Sequence, residues 1–117
     1  MTIEVATIDA PARCCAPLLA ASIDESEAAT TAQLFKALSD KHRVRIVNLL
    51  ANADEAVCVC DLTDEVGLSQ PTMSFHLKKL MSAGLLQREE RGKWAYYSVD
   101  PEALKRLSVI FESKGVR

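Results

Sequence analysis

Hydrophobic and polar positions alternate with three different rhythms along this chain. Residues 1 to 23 hold no helical or strand period and contain Pro11 and Pro17, which predicts an extended, mobile arm. From Asp24 the pattern becomes helical. Ala28, Ala32, Phe35 and Leu38 recur at near-helical spacing, with Asp24 or Ser22 as the capping residue. Asp40 caps a second helix, whose Val44, Ile46, Val47, Leu49 and Leu50 supply an apolar side, and Asn52 to Glu55 break it.

The next stretch predicts two helices around a tight turn. Asp61 caps a short helix ending at Val66, and Gly67 suits a left-handed C-cap. Ser69 caps the following helix, and Pro71 is tolerated in its first turn. Met73, Leu77, Leu80, Met81 and Gly84 fall on one side of it; Pro71, Thr72, Phe75, Lys78, Lys79 and Ser82 fall on the other. Leu85 to Arg88 and Lys93 to Val99 then read as two strands joined by a turn at Glu90, Arg91 and Gly92. Pro101 opens a last helix with Leu104, Leu107, Ile110 and Phe111 on one stripe. Helices, a helix-turn-helix and a β-hairpin in this order predict a mainly α fold with a β-hairpin wing, a winged helix-turn-helix. The expected organisation is an arm over 1–23, one DNA-binding and dimerisation domain over 24–113, and a frayed tail over 114–117.

Composition adds bounds. The 117 residues suffice for one modest core, and dimerisation would enlarge it. No apolar run approaches the ~18 residues of a membrane span, and the N-terminus lacks a signal-peptide layout, so the sequence predicts a cytoplasmic protein with no membrane partner. The four cysteines are then expected as thiols. The formal net charge of −2 argues against a nucleic-acid binder, but its distribution argues for one. Residues 1 to 30 carry a net −4, whereas residues 69 to 93 carry Lys78, Lys79, Arg88, Arg91 and Lys93 against Glu89 and Glu90, a net +3. A helix-turn-helix presents the N-terminal part of its second helix to base edges. Ser69, Gln70, Thr72, Ser74, Phe75 and His76 occupy that region. Gln70 suits adenine, Phe75 suits a thymine methyl, and Lys78, Lys79, Arg88, Arg91 and Lys93 suit phosphates or a flanking minor groove. The plainer reading of the lysines is a solvated helix face; Phe75 beside them on the outward side, followed by a basic hairpin, tips the balance to double-stranded DNA.

The cysteines come in two pairs, Cys14–Cys15 and Cys58–Cys60. If residues 57 to 60 are extended, both sulfurs of the second pair point to one side; inside a helix they would lie roughly 200° apart. Cys60 is expected at the positive end of the helix beginning near Asp61, which favours its thiolate, the form that ligates soft metals and metalloids. Adjacent Cys14 and Cys15 suit chelation better than a strained disulfide. Buried structural cysteines are the bland alternative, common for single residues and less so for two pairs.

FKALSDKHRVRIVNLL, CVCDLTDEVGLSQPTMSFHLKKLMSAGLL and RGKWAYYSV, in that order and spacing over about residues 33 to 107, resemble the ArsR/SmtB family of winged-helix, metal-responsive repressors. The resemblance implies a homodimer joined through its terminal helices and recognition by the SQPTMSFHLKKL helix. Two departures are visible: Lys41 stands where the family often has proline, and Phe75 where it often has a polar residue or histidine. CVCDL resembles the thiolate site of the family's arsenic and cadmium/lead sensors. Thr63 stands where the arsenic sensors often have a third cysteine, so a third sulfur must come from Cys14 or Cys15. His42 and His76 both lie outside residues 101 to 113, so the family's zinc site on the last helix is absent.

The expected ligands are Cys14, Cys15, Cys58 and Cys60, and the expected inducer is As(III) or Sb(III), bound across the dimer. Cadmium, lead or zinc is the alternative, since four sulfurs serve either geometry. A redox- or persulfide-responsive repressor is a further alternative. An enzyme is not expected: the chain has no CxxC, no phosphate-cradling loop headed by cysteine, and no sign of a small-molecule substrate or organic cofactor.

Overall fold

The computed structural model describes residues 23–112; the remainder of the expected arm, with Cys14, Cys15 and Ser22, and the expected tail lie outside the described residues. Helix α1 spans Glu25–Ala37, with Asp24 capping it through a reciprocal box with Glu27. Helix α2 spans Lys41–Ala51 and is capped by Asp40, whose carboxylate accepts from the His42 and Arg43 N–H groups. Strand β1 is Val57–Cys58, and it runs directly into α3, Val59–Val66. Gly67 then takes the left-handed conformation, φ 77°, that closes α3 and turns the chain towards the next helix. Helix α4, Gln70–Ser82, is capped by Ser69 and has Pro71 in its first turn. Strands β2, Leu86–Arg91, and β3, Trp94–Val99, form the wing, and α5 runs Pro101–Val109 from the Asp100 cap.

The wing differs from the expected hairpin in two ways. Strand β2 runs on through Glu90 and Arg91, so the loop is Gly92–Lys93 alone, with Arg91 opposite Trp94 and Gly92 at φ 68°. Glycine at the first position of a two-residue hairpin loop matches the strand twist. The sheet also has a third strand: β1 pairs antiparallel with β3, Val57 opposite Tyr97 and Cys58 opposite Tyr96, giving the order β1-β3-β2. Cys58 is thereby fixed against the wing's inner strand.

The core lies where α2, α3 and α4 meet the sheet. Ile46, Leu62, Met73, Leu77, Leu80 and Leu85 are its most fully buried side chains. The α4 face follows the expected pattern, since burying Met73, Leu77 and Leu80 is the only way that helix can dock. Two expected faces are revised. On α1 the buried positions are Thr31 and Leu34, while Ala28, Ala32 and Phe35 are exposed, because within one chain α1 packs chiefly on α5. On α2, Val44 is half exposed, outside the Ile46, Val47 and Leu50 face. Phe35 meets Phe111 edge to face at 6.0 Å, and with Ile110 these rings form an exposed apolar patch across α1 and the end of α5.

Candidate thiolate site and nucleic-acid interface

Cys58, not Asp61, is the N-cap of α3, so the helix begins earlier than its charge pattern suggests and Cys60 lies within its first turn. Cys58 is extended (φ −65°, ψ 139°) and only 7% exposed. An N-cap side chain folds over the first turn towards the N2 and N3 positions. Cys58 makes no such capping bond; its sulfur lies instead against that of Cys60, the two Sγ atoms 2.7 Å apart and the cysteines free. The pair is therefore brought together by a strand-to-helix junction, not by a continuous strand. An ion holding both sulfurs at ~2.3 Å would spread them by about an ångström, a side-chain adjustment.

The expected bias of Cys60 towards thiolate is not what its surroundings produce. The hydrogen bond with Cys58 raises its pKa above the ordinary thiol value, as do partial desolvation and the charges of Cys58 and Asp61; the Asp61 N–H opposes them. Soft cations bind the thiolate form, so binding at this pair would release protons. Thr63, one turn on, donates to the Val59 carbonyl at 2.7 Å and offers no sulfur. Among the described residues no group of three or more His, Cys, Asp or Glu side chains is placed to hold a metal ion. The described part of the candidate site is thus a pair of adjacent sulfurs.

Nearly two turns of α3 and the Gly67 bend separate this sulfur pair from α4. Ser69 accepts from the Thr72 N–H at 3.3 Å and donates to the Thr72 hydroxyl at 2.9 Å, which fixes the start of α4. Gln70, Thr72, Ser74, Phe75, Lys78 and Lys79 are all exposed. His76 is the exception to the expected reading set: it is only 6% exposed and points under the helix. Its Nδ1 lies 3.2 Å from Arg43 Nη1, and its ring lies 5.5 Å from that of half-buried His42. Desolvation lowers the His76 pKa; Asp40 opposes this, while Arg43 and His42 reinforce it. His76 is part of the support of α4, not of its outer surface.

On the wing, Arg88 pairs with Glu90 at 2.9 Å and donates to the Tyr97 hydroxyl at 3.2 Å. Arg91 pairs with Glu89 at 3.1 Å and lies over the Tyr96 ring at 4.3 Å. Lys93 is exposed in the loop. A hollow of about 340 Å³ between α4 and the wing brings Ser74, Lys78 and Arg88 together beside Met81 and Tyr97.

Two residues that sequence reasoning did not single out tie these parts together. Arg43 donates to the Ala37 carbonyl at 2.7 Å as well as meeting His76, so it joins α1, α2 and α4. Arg45 donates to the Val66 and Glu65 carbonyls, both at 3.3 Å, capping the C-terminal end of α3. An Arg-x-Arg spacing on the polar side of a helix carries no local signal of such long-range partners.

These features define a winged helix-turn-helix regulator with a vicinal dithiol at the entrance to its helix-turn-helix. Residues 40–88 match the bacterial regulatory protein family arsR. A putative arsenical resistance operon repressor of Halobacterium salinarum is 41% identical over 108 residues, covering 92% of this chain and 89% of that one. A cadmium resistance transcriptional regulatory protein homolog of Staphylococcus aureus is 42% identical over 76 residues, covering 65% of this chain and 62% of its own. Among solved structures, the homodimeric winged helix-turn-helix DNA-binding domain of a possible ArsR-family regulator from Mycobacterium bovis superposes with TM-score 0.62 at 25% identity, covering 79% of this chain and 86% of that one. The chain belongs to the arsR family: it is a DNA-binding transcriptional regulator of the repressor type and not an enzyme. No helix among the described residues is long and apolar enough to cross a membrane.

Proposed function

We propose that this regulator is a cytoplasmic repressor that holds its operator as a ligand-free homodimer and leaves it when As(III) or Sb(III) binds its cysteines. The observation that carries this reading is the 2.7 Å approach of the Cys58 and Cys60 sulfurs at the first turn of the helix-turn-helix. Trivalent arsenic and antimony favour three soft thiolate donors. The third donor, and a fourth for a larger ion, is Cys14 or Cys15, which makes the site a union of the 1–23 arm with α3. The exposed Phe35, Ile110 and Phe111 patch supports pairing through α1 and α5, and the Mycobacterium bovis neighbour is itself a homodimer.

Binding pulls on the start of α3, whose far end is fastened to α2 by Arg45 and leads through Gly67 into α4. A small displacement there changes the spacing of the two α4 helices in the dimer and their fit to successive major grooves. Moving the dimer from almost fully bound to almost fully free requires about 5.5 kcal/mol of differential ligand affinity. Reciprocity then makes operator DNA weaken metalloid binding by the same factor.

Cadmium is the second reading, favoured by the Staphylococcus relative and by the availability of four sulfurs. Titrating the reduced protein on its operator with arsenite, antimonite, cadmium, lead and zinc separates the two. Release by arsenite and antimonite at low ratio is expected. Release by cadmium or lead alone would replace the metalloid reading, and insensitivity to every ion would direct attention to oxidants or persulfides.

A further inference from the structure

Helix α4 presents one large apolar side chain to solvent, Phe75, which is 54% exposed among polar neighbours. The ring has two close neighbours. The His76 ring meets it at 67° with centroids 5.5 Å apart, and Lys79 Nζ sits 5.4 Å from its centroid. His76 is itself anchored from below by Arg43, so the platform under Phe75 reaches into α2.

Phe75 shares the outward side of α4 with Thr72, about one turn nearer the N-terminus, and with Lys78 and Lys79, about one turn further on. Base edges in the major groove are hydrogen-bond donors and acceptors, with one apolar exception, the C5-methyl group of thymine. A phenyl ring pressed on any other edge desolvates polar atoms without replacing their hydrogen bonds. Resting on the reading that α4 enters the major groove, we propose that Phe75 is a specificity-determining residue that recognises a pyrimidine C5-methyl group, thymine in unmodified DNA, once in each operator half-site. Lys79 then lies beside the ring, where its ammonium can meet the adjoining phosphate.

The test uses the full-length reduced protein and the DNA upstream of its own coding sequence. Each thymine is replaced singly by deoxyuridine, which removes the methyl and preserves pairing, and affinity is read by fluorescence anisotropy at fixed salt. One position in each half-site is expected to weaken binding about three- to fivefold, the scale of one buried methyl, with little change elsewhere. Phe75→Ala is expected to bind the unmodified operator more weakly and to be indifferent to uracil at that position. Phe75→Leu, which keeps an apolar surface, is expected to retain part of the response. The proposal is overturned if no uracil position matters to the wild-type protein, or if Phe75→Ala and Phe75→Leu both respond as the wild type does. Failure of the wild-type protein to prefer this DNA over an unrelated fragment would overturn the major-groove reading and the proposal together; a uracil scan that is flat on a specifically bound operator overturns the proposal alone.

Discussion

Arg43 Nη1 lies 3.2 Å from His76 Nδ1, and this contact fastens the exposed helix of the helix-turn-helix to the helix beneath it. A guanidinium only donates, so His76 Nδ1 accepts and the ring proton of the neutral imidazole sits on Nε2. A proton on Nδ1 would turn the hydrogen bond into a contact between two cations.

That arrangement sets a pH dependence. The His76 pKa in the folded protein lies below the ordinary 6.5, chiefly from desolvation. The unfolded chain therefore takes up this proton at higher pH than the folded chain does. Stability contributed by neutral His76 is present above 6.5 and is lost as pH falls through that value towards the folded one. Thermal unfolding from about pH 7.5 to about pH 5.5 should show a falling midpoint that is shallower in His76→Gln, whose side-chain oxygen still accepts from Arg43. Equal slopes in the two proteins would contradict this. Asp40 acts in a separate window: desolvation raises its pKa, but the His42 and Arg43 N–H groups and the charges of His76 and Arg43 outweigh it. Its stabilisation is present above 3.8 and lost as pH falls below that value towards its lower folded pKa.

The core prediction concerns Leu80, which is fully buried where α4 meets the rest of the fold. Leu80→Ala leaves a cavity among side chains that cannot all close in, at a cost of about 2–5 kcal/mol. Denaturant unfolding measures it directly; a loss well under 1 kcal/mol would show that α4 packs more loosely than its burial implies.

The wing is electrostatically muted. Arg88 and Arg91, expected from the sequence as phosphate contacts, are engaged by Glu90 and Glu89. Removing both carboxylates with Glu89→Gln and Glu90→Gln should tighten operator binding and steepen its salt dependence by roughly one to two phosphate contacts. An unchanged salt slope would place the wing away from the DNA backbone.

How much of this was legible depended on whether the determinant was local. Asp24, Asp40 and Ser69 were readable as caps because capping is decided within a few residues, and Gly67 because a helix ending there favours a residue at ease with positive φ. Cys58 was not readable as a cap: Asp61 is the stronger capping residue on its own, and the pairing of β1 with β3, forty residues away, decides where α3 begins. The α1 face differs from the expected one because the described residues leave Ala28, Ala32 and Phe35 exposed, Phe35 meeting only the exposed Phe111 ring edge to face. His76 followed the polar pattern in sequence, yet Arg43, thirty-three positions earlier, gives it a partner indoors. The sulfur pair was legible as a candidate from its spacing alone, but the way α3 brings the two atoms together was not.

Gly67 offers a check on the junction that links the thiols to α4. At φ 77° an added Cβ meets no neighbouring atom, so the cost of Gly67→Ala is purely conformational, about 1–2 kcal/mol. The variant should fold with a lowered unfolding midpoint; undiminished stability would mean that the turn relaxes freely and is a poor transmitter of motion from α3.

An ion bridging Cys58 and Cys60 is expected to release the DNA. Cys60→Ser is the most informative variant, because Cys60 is exposed and its loss disturbs no core packing. Fluorescence anisotropy of operator release by arsenite, on the reduced wild-type protein and on Cys60→Ser, measures this. Equal affinity of the two proteins for DNA is expected without arsenite, and arsenite-driven release by the wild type alone. Release of Cys60→Ser at the same arsenite concentration as the wild type would contradict it.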